Sequence, residues 1–306
     1  MKSFIVKNYD SYYFTGFFLV FTAGLFWSFG AVVVRYMVDA NQYQPQYLFY
    51  RGISIALILF FYLLIREGIT FYGNFKKIGI SGIIGGLCLA SAFTGFIFSI
   101  TLTSAAVTLF MLASMPFIAA IVGYLILKET LRRMTLITMV FAFIGVMIMI
   151  INDSINGSAI GALVGFLSAL GFALYTVTIR WRPETPKFTT VVLAGIFCAL
   201  FSLIIIVLYN KPFVIPTKNV YLSLLHGSLV ASGLILYSLG AKYMPAAELA
   251  LVSLIEVVGG VVWVWIPLFG INEVPNLPTI IGGVIVTFAV ILHGFGAKRK
   301  IIPPTT

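Results

Sequence analysis

The residue with the clearest capacity for chemistry is Glu256, a carboxylate near the middle of the apolar stretch Ala246 to Glu273, AAELALVSLIEVVGGVVWVWIPLFGINE. An ionised carboxylate in hydrocarbon costs several kcal/mol or more, so a chain that keeps one there shelters it in protein and uses it. Steps of three, four and seven residues return to one helical face, which puts Val252, Glu256, Gly259 and Trp263 on a single stripe. The stripe combines an acid, an open space at the glycine and an aromatic wall. An acid at that depth can trade a proton for a cationic substrate; the competing role is a structural partner for an arginine or a hydroxyl.

Arg51 is the complementary charge. It lies about 9 Å below the end of its apolar segment and can hold a substrate carboxylate through two parallel hydrogen bonds, or pair with Glu256 or a helix end. Arg35 is one turn from the end of its own segment, where its side chain reaches water, and Gly24, Ser28, Ala31 and Arg35 form a small-residue packing seam. Trp27, Tyr50, Tyr175, Tyr237, Trp263 and Trp265 supply aromatic faces, which bind ammonium groups well beside an acid but also anchor helices at membrane interfaces. Trp265, near a segment end, reads as an anchor and Trp263 as the wall next to Glu256.

Other polar groups have plainer readings. Glu248 and Lys242, around the turn AKYMPAAE, are expected to face headgroups or each other. Glu129 precedes Arg132 and Arg133 at the spacing of a helix-surface ion pair. Pro116 and Pro267 are expected to loosen their helices, because proline removes a backbone donor and crowds the preceding turn. His226 and His293 lack partners at metal-ligand spacing, and no Gly-rich phosphate loop follows a strand, so the expectation is no metal, no cofactor and no catalysis.

The elements that must position these groups are membrane helices. The 306-residue chain is 61% hydrophobic and 9% charged, too few polar groups to cover a surface in water. Cys88 and Cys198 both fall inside apolar segments and read as small core residues. The net charge of +10 comes from short clusters between apolar segments, so nucleic acid is not an expected partner. A span needs about 20 apolar residues, and that window predicts ten helices, at 14–37, 46–65, 77–100, 104–127, 134–151, 159–180, 188–209, 220–241, 246–269 and 279–297. The first is too long for a signal-peptide core. With the N-terminus inside, fifteen Lys and Arg fall at cytoplasmic ends, against Arg35, Lys211 and Lys218 outside, which predicts both termini in the cytoplasm of a cell inner (plasma) membrane.

Ten spans divide into five plus five, and an odd-numbered half reverses direction before repeating. AAVTLFMLASMPFIAAIVGYLILKET in the first half runs parallel to AAELALVSLIEVVGGVVWVWIPLFGINE in the second, with Thr135 or Thr279 six residues beyond Glu129 or Glu273. AGLFWSFGAVVVR from Ala23 likewise matches SALGFALYTVTIR from Ser168. The expected fold is an all-α membrane protein of two inverted five-helix repeats, 1–153 and 154–306, joined in one membrane domain with a site near the midplane between them.

These residues resemble the EamA-like ten-helix branch of the drug/metabolite transporter superfamily. LFWSFGAVVVRYM at 25–37, YLFYRGISIALIL at 47–59, AAVTLFMLASMPFIAAIVGYLILKETL at 105–131, and AAELALVSLIEVVGGVVWVWI through INEVP at 246–275 carry the resemblance in this order. The second half has Glu256 where the first has Pro116, and Ile266 to Asn272 is longer than its first-half counterpart. The resemblance implies a secondary transporter of small metabolites with a cavity between repeats. With Glu256 for an ammonium and Arg51 for a carboxylate, the expected cargo is a small amine, amino acid or other zwitterion, moved by alternating access with a coupling proton or other gradient. The expected partners are this small-molecule substrate and the lipid bilayer, the chain acting as a monomer or homodimer. The competing readings are a membrane-embedded enzyme on lipid-linked substrates and a non-transporting assembly or receptor protein.

Overall fold

A computed structural model describes residues 2–102, 108, 111–150, 159–182, 184–271, 274 and 277–296. Within them the chain is helical: α1 (Lys2–Ser28), α2 (Gly30–Arg35), α3 (Gln44–Glu67), α4 (Tyr72–Lys77), α5 (Gly79–Leu102), α6 (Met115–Leu127), α7 (Arg133–Ile150), α8 (Ala159–Trp181), α9 (Lys187–Leu208), α10 (Thr217–Gly240), α11 (Ala246–Ser253), α12 (Ile255–Trp265) and α13 (Leu277–Gly296). Tyr12–Arg35, Gln44–Lys77, Gly79–Leu102, Ala159–Trp181, Lys187–Leu208 and Thr217–Gly240 are long and apolar enough to cross a membrane, and Met115–Leu127, Arg133–Ile148 and Ile280–His293 are shorter apolar helices. Glu273, Lys298, Arg299, Lys300 and most of the predicted start of the fourth span, 104–110, lie outside the described residues.

Side chains are distributed for lipid rather than water. Along α13, Ile281, Val284, Phe288 and Ile291 face outward while Val286, Ala289, Val290 and His293 are buried. With hydrocarbon outside, apolar burial drives little association, and small residues that allow close backbone approach do the packing. Gly52 of α3 and Gly195 of α9 meet reciprocally, since a Cβ on either would stand 2.7 Å from the carbonyl oxygen of the other.

The helices of the two halves interleave. α5 packs on α8 as α10 packs on α1; α5 meets α9 as α10 meets α3; α6 meets α8 as α12 meets α1. The pairs α3 with α9, α6 with α11 and α7 with α13 join counterparts directly. Exchanging the predicted helices 1–5 for 6–10 maps this set of contacts onto itself.

Two of the predicted spans are interrupted where the sequence suggested continuous helix. Phe29 separates α1 from α2, and Leu254 separates α11 from α12. A third interruption, at Ala113 and Ser114, precedes α6. The Ser114 amide donates to the Met111 carbonyl at 3.1 Å and the Leu254 amide to Leu251 at 3.2 Å. These are the same tightened i→i−3 bond at positions that match when Pro116 is set against Glu256. The proline roles change accordingly. Pro116 sits in the first turn of α6, where its missing N–H leaves nothing unpaired, so it starts a helix rather than loosening one. Pro267 lies beyond α12, which ends at Trp265, and opens the short 3-10 turn Pro267–Phe269 closed by Gly270 at φ +69°. That turn accounts for the extra length after Ile266.

Candidate functional site

Because α12 restarts at Ile255, Glu256 falls in its first turn, where the helix dipole favours negative charge. Its neighbours Leu254, Ile255 and Val257 are buried, whereas Glu256 keeps part of its surface accessible. Among the described residues no hydrogen bond or ion pair ties down its carboxylate.

Arg51 on α3 is 4% exposed, and its Nε and Nη1 are buried with no hydrogen-bond partner among the described residues. The guanidinium lies over the Phe93 ring, 5.2 Å from its centroid. One turn earlier, the buried Tyr47 hydroxyl meets His226 Nδ1 at 2.5 Å. Arg51 and Glu256 interact electrostatically, yet no ion pair joins them. A buried guanidinium ordinarily has every N–H satisfied, because an unpaired one forfeits its desolvation cost. The geometry therefore leaves two opposite charges in one neighbourhood with their strongest bonds unmade.

The aromatic residues do not form a single cluster. Gly24 of α1 lies against the Ser253 and Glu256 backbone, and Trp27, one turn on, packs on Tyr237 (5.4 Å) and Phe172 (5.5 Å) and donates Nε1–H to the Val230 carbonyl at 3.3 Å. Tyr237 also interacts electrostatically with Glu256, its hydroxyl bonded to Thr176 Oγ1 at 2.7 Å. Tyr175 is fully enclosed, its hydroxyl 3.2 Å from Ser238 Oγ. Tyr50 forms a separate edge-to-face pair with Phe49 at 5.5 Å.

The space expected over Gly259 is filled: a Cβ there would stand 2.7 Å from Ser28 Cβ. Gly24, Ser28 and Ala31 all pack on α12, so the stripe from Glu256 to Trp263 is half of a helix–helix seam. Trp263 donates to Ser28 Oγ at 2.7 Å and stacks on Phe29, 4.5 Å between centroids and 16° apart. It braces the α1–α2 junction. Trp263→Phe keeps the stacking but removes the donor, and is expected to lower stability by about 1 kcal/mol in thermal unfolding. Trp265 and Arg35 are exposed, as an anchor and a snorkelling cation would be.

At the end bearing Lys76, Lys77, Arg132 and Lys242, two expectations are revised. Lys242 is exposed, but Glu248 is 1% exposed and turned inward, accepting from the Tyr13 hydroxyl at 2.8 Å and from Thr135 Oγ1 at 3.2 Å. His293, fully buried, lies 3.3 Å from the same carboxylate. Glu129 does not pair along a helix with Arg132 and Arg133, because residues 128–132 are not helical and Lys128 turns the chain at φ +56°. Its Oε1 instead lies 2.6 Å from Arg180 Nη2, and its Oε2 accepts the Ala246 amide at 2.9 Å, capping α11. Arg180 Nη1 donates to the Ala241 carbonyl. Two side chains thus bind α8 to the turn before α11. Glu129→Gln is expected to cost about 2 kcal/mol, between exposed and fully buried pairs, in thermal unfolding of the purified protein. No sequence spacing announced these partners, which are 51 and 45 residues apart in chain order.

The fold and its apolar exterior define a multi-pass, all-helical membrane protein. The profile of the EamA-like transporter family matches it twice, over residues 14–151 and 159–295, and the chain belongs to that family. An uncharacterized transporter in each of two strains of Helicobacter pylori is 27% identical over 173 residues, 55% of this chain and 57% of the relative. The match thus spans little more than half the length of those curated relatives. A crystal structure with 15% sequence identity superposes with a TM-score of 0.72, covering 92% of this chain and 96% of that one, and shares the fold.

Proposed function

We propose that the chain is a secondary transporter of a small zwitterion, such as an amino acid, with Glu256 receiving the ammonium group and Arg51 the carboxylate. The observation that carries this reading is the pair of unmade interactions: a buried guanidinium with two orphaned nitrogens and a helix-terminal carboxylate without a partner. A zwitterion supplies the missing partner to each end at once. Trp27 and Tyr237 add an aromatic face for the ammonium.

Alternating access of two inverted five-helix repeats, near 1–153 and 154–306, would carry the substrate across the cell membrane. The double family match, the self-mapping contact set and the helix interruptions at Ser114 and Leu254 support that reading. The asymmetry of basic residues supports cytoplasmic termini. A coupling proton can reside on Glu256 when the cation is absent.

The test is a thermal-stability screen of purified protein with amines, carboxylates and amino acids. A ligand specific for the folded state at 100 times its Kd adds about 2.7 kcal/mol. Amino acids are expected to stabilise more than amines or simple carboxylates of similar size. Equal shifts from the amine alone would refute the role of Arg51.

A further inference from the structure

We propose that Glu248 and His293 form a proton-binding site, separate from Glu256, where helices of both halves meet at the basic end. The argument is an inventory of hydrogens. His293 Nε2 faces Glu248 Oε2 at 3.3 Å and the Tyr13 oxygen at 3.2 Å. An ionised carboxylate only accepts, and the Tyr13 hydrogen is directed to Glu248 Oε2 at 2.8 Å, so both neighbours ask Nε2 for a hydrogen. On the other side of the ring, Nδ1 lies 3.3 Å from Thr138 Oγ1. Thr138 directs its own hydrogen to the Met134 carbonyl at 2.9 Å or that of Thr135 at 3.0 Å, which leaves its oxygen to accept. With the Thr138 hydrogen on a helix carbonyl, both ring nitrogens face acceptors, and the doubly protonated imidazolium satisfies all of them at once.

Loss of that proton has a defined structural consequence. With only Nε2 protonated, Nδ1 becomes an acceptor and draws the Thr138 hydrogen away from the helix carbonyl. The site joins Tyr13 on α1, Arg132 before α7, Thr135 and Thr138 on α7, Glu248 on α11 and His293 on α13. Among the described residues, Arg132, with Nε 3.9 Å from Glu248 Oε1, and the Tyr13 phenol are the other ionisable groups facing the dyad. Proton occupancy thus bears on contacts between four helices drawn from both halves. A part in closing this end rests on the transporter reading; the proton site itself does not.

The chain has two histidines, His226 and His293, so nitrogen NMR on histidine-labelled full-length protein in nanodiscs resolves the question without a substrate. The His293→Gln spectrum assigns the signals by subtraction. In the unmodified protein His293 is expected to carry hydrogens on both ring nitrogens at neutral pH. Glu248→Gln is expected to lose that imidazolium signal, and Tyr13→Phe to keep it. A His293 with one hydrogen from mildly acidic to neutral pH overturns the proposal, as does an imidazolium unaffected by Glu248→Gln. Should Glu248→Gln fail to fold, the unmodified protein still decides. Either failure leaves the Glu256 and Arg51 reading untouched, because no transported molecule enters the measurement.

Discussion

Replacing Arg51 by Met, or Glu256 by Gln, is expected to cut substrate-driven uptake into proteoliposomes sharply at subsaturating substrate while leaving the protein as stable as the parent. Loss of a buried functional charge ordinarily destabilises, because it strands a partner. Here no hydrogen bond is broken: Arg51 Nε and Nη1 have no hydrogen-bond partner, and no hydrogen bond or ion pair holds the Glu256 carboxylate among the described residues. Arg51→Met removes a buried charge whose Nε and Nη1 lack hydrogen-bond partners and is expected to hold or raise the melting temperature. For function, each charge-assisted hydrogen bond to a bound zwitterion contributes about 1.5–3 kcal/mol, so either variant is expected to lower affinity by about 10- to 100-fold. Arg51→Lys is expected to recover little, since an ammonium cannot reproduce the two-pronged guanidinium geometry. A marked loss of stability in Arg51→Met would instead identify a structural ion pair and sink the substrate role.

The second large effect is structural. Gly52→Leu is expected to lower stability by about 3 kcal/mol or prevent folding, read as loss of the monodisperse peak in detergent chromatography or a fall in melting temperature. The added Cβ alone would stand 2.7 Å from the Gly195 carbonyl oxygen and 2.9 Å from the Ala199 amide nitrogen. Both are backbone atoms, which cannot rotate aside as a side chain can, so α3 and α9 must separate along their length. Overpacking costs about 1–3 kcal/mol where neighbours can yield, and more where they cannot. Gly73→Ala, within α4 and with nothing within 4 Å of the added Cβ, is the control and is expected to be neutral or stabilising by about 0.5–1 kcal/mol. Equal losses in both would show that close approach to α9 does not govern Gly52.

Composition alone made this a helical membrane protein, because the cost of unpaired backbone groups in lipid leaves few alternatives and a run of apolar residues records its own length. Glu256 and Arg51 stood out for the same reason, since charge within such runs is visible without any fold. The Gly24–Ser28–Ala31 seam was legible from its spacing, although its partner, α12, was not. What linear order does not carry is which faces meet. It assigned Gly259 an open space that Ser28 fills, set Glu129 beside Arg132 and Arg133 when Arg180 and the Ala246 amide hold it, and turned Glu248 toward headgroups when Tyr13 and His293 enclose it. The helix interruptions at Phe29 and Leu254 were equally hidden, because no proline stands at either point and the small residues nearby also serve packing. Hydrophobicity repeats along a chain and can be read there, whereas hydrogen bonds between helices depend on rotation and depth. Those are set only when all the helices pack together.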